Sequence, residues 1–251
     1  MRLGAVGLGA APTLTDNGYF NPARSGHGTF FHQIGELWGV IWYTFLQDGT
    51  PAWYIATGPR PGGDGATWTA PLLRFTWNGT SNRSTPVGEV VLTATAQDRF
   101  VFSWLLDGTY GSEPLQPTGA PGCPVVAGAP LSVGGSWYAP QLPGYGFNIV
   151  ATPQVEAMTA YVFDAPGNPR WVLGSNAPFG SGTFALTQYS GFCPRCAAAP
   201  TQATGVGSLS RTYATDRTGT ATVNLTFAAT VTGGWTSNHA IEKLSVTQAC
   251  P

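Results

Sequence analysis

The chain repeats itself, and that limits its fold more than any other feature. Shifted by 118 residues, Gly18–Gly58 aligns without a gap on Ser136–Asn176. The pairs that stay identical are Pro22/Pro140, Gly26/Gly144, Gly28/Gly146, Tyr43/Tyr161, Phe45/Phe163, Gly49/Gly167, Pro51/Pro169 and Trp53/Trp171. All are Gly, Pro or aromatic, residues that shape turns and fill cores rather than carry out chemistry. Two diverged copies of one structural unit are expected.

The correspondence continues more weakly. Gly65-Ala-Thr-Trp68 answers Gly182-Thr-Phe184, and Val87-Gly88 answers Val206-Gly207. Arg99–Trp104, leading to Asp107-Gly108, answers Thr222–Phe227, leading to Gly233-Gly234. Apolar residues alternate with small polar ones, as in strands with one buried face. Turns such as Gln47-Asp-Gly-Thr50 and Ala165-Pro-Gly-Asn168 punctuate them. The expected fold is all-β: two tandem antiparallel repeats of six to eight strands, each a small barrel or sandwich. Closing each sheet on itself would remove exposed edges; one sheet system shared by both copies is the alternative. The expected division is an N-terminal segment or leader remnant over 1–15, repeat 1 over 16–113, a Pro/Gly-rich linker over 114–130 and repeat 2 over 131–251.

Composition narrows the function classes. Charged residues are 9% of the chain and hydrophobic ones 43%, but Gly, Pro, Thr or Asp interrupts every apolar run before the ~20 residues a spanning helix needs. Nine Trp, nine Tyr and thirteen Phe are too much aromatic surface for a disordered chain. The net charge is −1, Lys243 is the only lysine and the arginines are scattered, so no basic stripe suits nucleic acid. Of the four cysteines only Cys193 and Cys196 form a close pair, which is not the two-pair spacing of a zinc site. Structural disulfides are expected, and Cys123 and Cys250, closing the two repeats, are candidates to pair with each other. Met1–Pro12 reads MRLGAVGLGAAP, similar to the end of a secretory signal. A secreted, cell-surface or periplasmic protein is the expectation.

Tyr19-Phe-Asn-Pro22, Arg24-Ser-Gly-His-Gly28, Trp42-Tyr43 and Asp48-Gly-x-Pro-x-Trp53 occur in that order. This series resembles a repeat of exported proteins of Gram-negative bacteria that carries NPxxSGxG, an aromatic strand and DGxPxW. The resemblance covers both halves, more loosely the second, where Leu142-Pro143 replaces Arg24-Ser25. It implies export and a β fold, and transfers no catalytic residues.

Catalytic constellations are sparse. No GxSxG elbow occurs. Ser25 and His27 flank a glycine, and His27 and His32 are five apart, on opposite faces of an extended strand. His239 reads as an isolated surface histidine. Glu36 and Glu89 are the carboxylates left for a glycosidase pair, which needs two acids across a cleft. No cofactor or metal motif is present.

The copies differ instructively on one strand. Its first face carries Leu37, Gly39, Ile41, Tyr43 and Phe45, against Val155, Ala157, Thr159, Tyr161 and Phe163. The aromatic pair is kept, so this face is expected to be core, together with Trp53 and Trp171. The second face carries Trp38, Val40, Trp42, Thr44 and Leu46, against Glu156, Met158, Ala160, Val162 and Asp164. That exchange predicts a solvent-facing surface in repeat 2. In repeat 1 it predicts an apolar row covered by the other repeat, by the linker or by a ligand. Asn21, Arg24, Ser25 and His27 become Ala139, Leu142, Pro143 and Tyr145 in repeat 2. Either they cap their own turn, or they join Trp38 and Trp42 in a polar-rimmed aromatic site unique to repeat 1. The leading functional reading is a non-enzymatic extracellular binding module for a glycan or a hydrophobic small molecule. The alternatives are a self-associating structural subunit of an extracellular assembly and a polysaccharide hydrolase.

Overall fold

The computed structural model describes residues 15–61, 67–180 and 182–250. Nearly all of the N-terminal segment, and Gly65 of the weak match above, lie outside the described residues. Repeat 1 forms β1 (Asn17–Phe20), a 3-10 turn (Pro22–Arg24), β2 (Gly28–Ile34), β3 (Leu37–Phe45) and β4 (Pro51–Pro59). It continues with β5 (Thr67–Trp77), β6 (Asn82–Ala96), β7 (Arg99–Leu106) and β8 (Thr109–Pro117). A ribbon of β9 (Val125–Val126) and β10 (Ala129–Pro130) lies in the connection. Repeat 2 supplies β11 (Gly135–Tyr138), β12 (Gly146–Ala151), β13 (Glu156–Phe163) and β14 (Pro169–Asn176). It ends with β15 (Phe184–Ser190), β16 (Gln202–Tyr213), β17 (Thr218–Thr226) and β18 (Gly234–Lys243).

Within each repeat every strand pairs antiparallel with the next, and the last returns to the first: β8 to β1 and β18 to β11. The molecule is two closed eight-stranded barrels, which leaves neither sheet an open edge. The final strand of repeat 1 runs to Pro117, so Pro114, expected in the linker, stands on β8 opposite Val101. Among the described residues no helix is long and apolar enough to cross a membrane.

Barrel closure decides which face of each strand is inside, and here the sequence reading is corrected. Trp38, Val40 and Trp42 point into barrel 1, where they pack with Tyr54, Trp68 and Phe102. Trp42 is only 1% exposed and Trp38 is buried too, so neither presents a free ring face for a ligand to stack on. Their counterparts in repeat 2 are interior as well, not solvent-facing. Glu156 is 0% exposed, Met158 belongs to the core of barrel 2, and Asp164 is buried. Each acid is buried with a partner, as desolvated charge requires. Glu156 accepts from the Arg211 guanidinium and from the Tyr213 hydroxyl at 2.6 Å. Asp164 accepts from Arg170 Nε at 2.8 Å. Burial, and next the Glu156 charge, hold the Tyr213 phenol well above its ordinary pKa.

The aromatic face shared by both repeats looks outward and forms the contact between the barrels. Phe30, Ile41, Tyr43, Phe45 and Trp53 cluster there with Tyr161 and Trp171. The contacts are reciprocal at the offset of the repeat. Trp53 Nε1 donates to the Val162 carbonyl at 3.1 Å, and Trp171 Nε1 donates to the Thr44 carbonyl at 2.9 Å. Trp53 packs on Tyr161 and Phe163, as Trp171 packs on Tyr43 and Phe45. The kept glycines belong to the same device. Gly167, at φ +88°, accepts from Trp77 N at 2.9 Å across the interface, while Gly49, at φ +81°, accepts from Gly191 N at 3.1 Å. A Cβ at Gly167 would run into the Trp77 backbone. This is the isologous logic of a two-fold dimer, written into one chain.

The cysteines are disulfide-bonded as expected: Cys123 pairs with Cys250, the second bond joins Cys193 to Cys196, and no described cysteine is free. Cys123–Cys250 ties the connection between barrels to the C-terminus, with a sequence separation of 127. In the chain-entropy model a loop of that length contributes about 5 kcal/mol. Cys193–Cys196 closes a short loop between β15 and β16.

Candidate functional site

The hairpin of repeat 1 that carries the sequence candidates is occupied with holding the barrels together. Asn21 caps the 3-10 turn through the Ala23 amide at 3.0 Å, and its own amide donates to Glu113 at 3.2 Å. Arg24 reaches into repeat 2, donating to the carbonyls of Pro194 at 2.8 Å and Cys196 at 3.1 Å. Its guanidinium lies 5.0 Å over the Phe192 ring and 3.8 Å from Glu113. Ser25 is exposed on the turn. His27 is buried edge-on against Phe192, with Nδ1 3.9 Å from Glu113. Burial, reinforced by the Arg24 charge, lowers its pKa to about 4, so the imidazole is neutral, and burial raises the Glu113 carboxyl. Asn21, Arg24 and His27 with Glu113 therefore form a latch for the disulfide loop of repeat 2. Glu113 was missed because its place on β8, next to the hairpin, depends on barrel closure.

Next to this latch an open cleft of about 550 Å³ runs between the outer faces of the barrels. Outward residues of β12–β15 wall one side, among them Val150, Ala157, Leu173 and Tyr189, and Phe20 and Phe30 approach from barrel 1. Tyr43 donates its hydroxyl to Asn148 within it, and Asn148 donates on to Ser136 at 2.6 Å. Thr118, Thr159 and Thr201 add neutral hydroxyls, and among the described residues no Asp, Glu, Lys or Arg lines the cleft. Of the six sequence candidates only His27 borders it; Asn21, Arg24 and Ser25 stand aside, and Trp38 and Trp42 are inside barrel 1.

The pseudo-two-fold axis generates a sibling cleft on the other side of the interface. It is lined by the counterparts Trp53, Ile55, Tyr138, Tyr145 and Tyr161, and measures only about 180 Å³. Two differences between the halves accompany it. The chain leaving β8 passes the open cleft as Thr118-Gly119, whereas the chain leaving β18 passes the sibling as Leu244-Ser245. Where the open cleft has Gly18 and Val150, the sibling side has Ser136 and His32, hydrogen-bonded at 3.0 Å. Gly18 and His32 lie inside the aligned segment, so the second of these differences was there to be read from the repeat comparison.

Other sequence candidates are dispersed. Glu36 sits in the exposed β2–β3 turn paired with Arg60 at 2.8 Å, while Glu89 is on the outer face of β6. His239 is not isolated: it packs against Tyr145 and Trp235. No group of three or more potential metal ligands occurs among the described residues. Comparison of the chain with protein-family models, curated proteins and solved structures gives no match.

Proposed function

We propose that the protein is a non-enzymatic binding module that works outside the cytoplasm and holds a small, uncharged, mostly apolar molecule between its barrels. The carrying observation is the open cleft itself, apolar, free of charged side chains among the described residues and about three times the volume of its sibling across the two-fold interface. Its volume falls within the ~300–1,000 Å³ of pockets that enclose small ligands. A formal charge entering it would lose hydration without meeting a counter-ion, whereas a neutral ligand needs one hydroxyl or carbonyl to meet the threonine hydroxyls. Among the described residues the lining contains no carboxylate, Ser, Cys or Lys, and the His27 imidazole at its border is packed into the latch, which favours binding over catalysis. Two disulfides accord with an oxidising compartment.

The test compares two dyes with one skeleton, uncharged N-phenyl-1-naphthylamine and its sulfonated analogue 8-anilinonaphthalene-1-sulfonate. The uncharged dye is expected to bind with a micromolar Kd, at least tenfold tighter than the sulfonate. Ala157→Trp, which fills the cleft from β13, should abolish that binding with little change in Tm. Equal affinity for both dyes, or unchanged binding by Ala157→Trp, would remove the cleft from consideration.

A further inference from the structure

The two barrels differ at the ends where their hairpins meet the neighbouring barrel. In barrel 1 the His27–Glu113 pair is covered by Phe192 and the disulfide loop. By the pairing registers, the counterpart in barrel 2 is Tyr145–His239, with the Tyr145 hydroxyl 3.3 Å from Nδ1. Among the described residues no ring of barrel 1 packs on it as Phe192 packs on His27; its neighbour is Trp235 of the same barrel. The connection between β15 and β16 is long enough to carry Phe192 and the disulfide, whereas β5 and β6 are joined by the tight turn Asn78-Gly79-Thr80-Ser81. The Asn78 side chain closes that turn by accepting from Thr80 N at 3.0 Å and Ser81 N at 2.8 Å.

The uncovered end is a cleft of about 480 Å³ with four aromatic walls, Trp77, Tyr145, Phe163 and Trp235. The rings are pre-positioned in pairs: Trp77 stacks on Phe163 at 6.2 Å, and Tyr145 meets Trp235 edge-on at 3.9 Å. Trp77 and Trp235 are each only half-buried, while Gln141 and Thr80 stand exposed at the rim. The only charged residue among the described residues of the lining, Asp164, is already engaged by Arg170 and Asn168.

We propose that this aromatic end of barrel 2 is a second binding site, separate from the inter-barrel cleft, and that it takes a neutral sugar ring of an oligosaccharide. An anion would meet no cation there, and a cation would meet a carboxylate that is already neutralised. An aliphatic ligand would leave the wet rim unused. A pyranose presents a C–H face that packs on indole and equatorial hydroxyls that bond amide and hydroxyl side chains, which matches walls and rim together.

Labelling with 5-fluorotryptophan gives each tryptophan its own 19F signal, assigned by single Trp→Phe variants. The labelled protein is titrated with maltohexaose, cellohexaose, chitohexaose and the acidic hexagalacturonate. At least one neutral chain is expected to move the Trp77 and Trp235 signals with a Kd of about 1 mM or tighter, while Trp171 in the inter-barrel cleft stays still. Trp235→Ala should weaken that binding at least tenfold. Gln141→Ala, in an exposed loop that cannot unfold the barrel, should weaken it severalfold. No shift with any neutral chain, movement of Trp171 instead, or tighter binding of hexagalacturonate would each overturn the proposal. The naphthylamine assay addresses the other cleft, so either reading can fail alone.

Discussion

The two halves of this molecule share an interface and part company at its edges. On the axis, each barrel gives a tryptophan that donates to a carbonyl of its neighbour, at 3.1 and 2.9 Å. Away from the axis, one side keeps an open cleft of about 550 Å³ where the other, with Leu244 in its lining, keeps about 180 Å³. One barrel end is covered by a disulfide loop and the other is left as an aromatic cleft. Identity is thus kept where each residue faces the other copy, because a change there disturbs both barrels. Farther out each half is free to diverge, and both candidate binding sites lie in that divergent zone.

The largest expected effect tests the symmetry. Trp53→Ala and Trp171→Ala each empty one half of the same buried contact, and each should cost roughly 3–5 kcal/mol. Chemical denaturation should find the two costs within about 1 kcal/mol of each other. A large disparity would break the equivalence of the halves.

A somewhat smaller effect sharpens the contrast between the barrel interiors, Trp38 in one and Glu156 in the other. Glu156→Ala leaves Arg211 buried without its carboxylate, for a loss of about 3–4 kcal/mol. The double change Glu156→Met with Arg211→Met should recover most of it, because an apolar pair of similar volume avoids the desolvation cost. Failure of the double variant to recover would mean that the ion pair specifies the fold of barrel 2 rather than merely satisfying itself.

The smallest effect on stability carries the clearest functional consequence. Thr118→Leu copies Leu244 into the equivalent place and should close the open cleft. Tm should hardly move, with about 0.5 kcal/mol or less at stake, while affinity for N-phenyl-1-naphthylamine should fall at least tenfold. Unchanged binding would show that Thr118 and Gly119 are not what keeps this cleft open.

Much of this was legible in the chain before folding. The offset of 118, the all-β class and the structural role of all four cysteines follow from local pattern. So does the burial of Tyr43, Phe45, Trp53, Tyr161 and Trp171, because turn glycines, alternation and aromatic identity are properties of short segments. Tertiary structure alone decided which face of β3 is inside. Every residue of that strand after Leu37 is buried, and alternation separates two faces without saying which one a closed barrel encloses. Trp38 and Trp42 therefore passed for a ligand platform, and Glu156 for a surface residue. Arg24, His27 and Glu113 became a latch only because barrel 2 brings Phe192 and the Cys193–Cys196 loop against them, a contact set by two closed sheets meeting about an axis that no local pattern encodes.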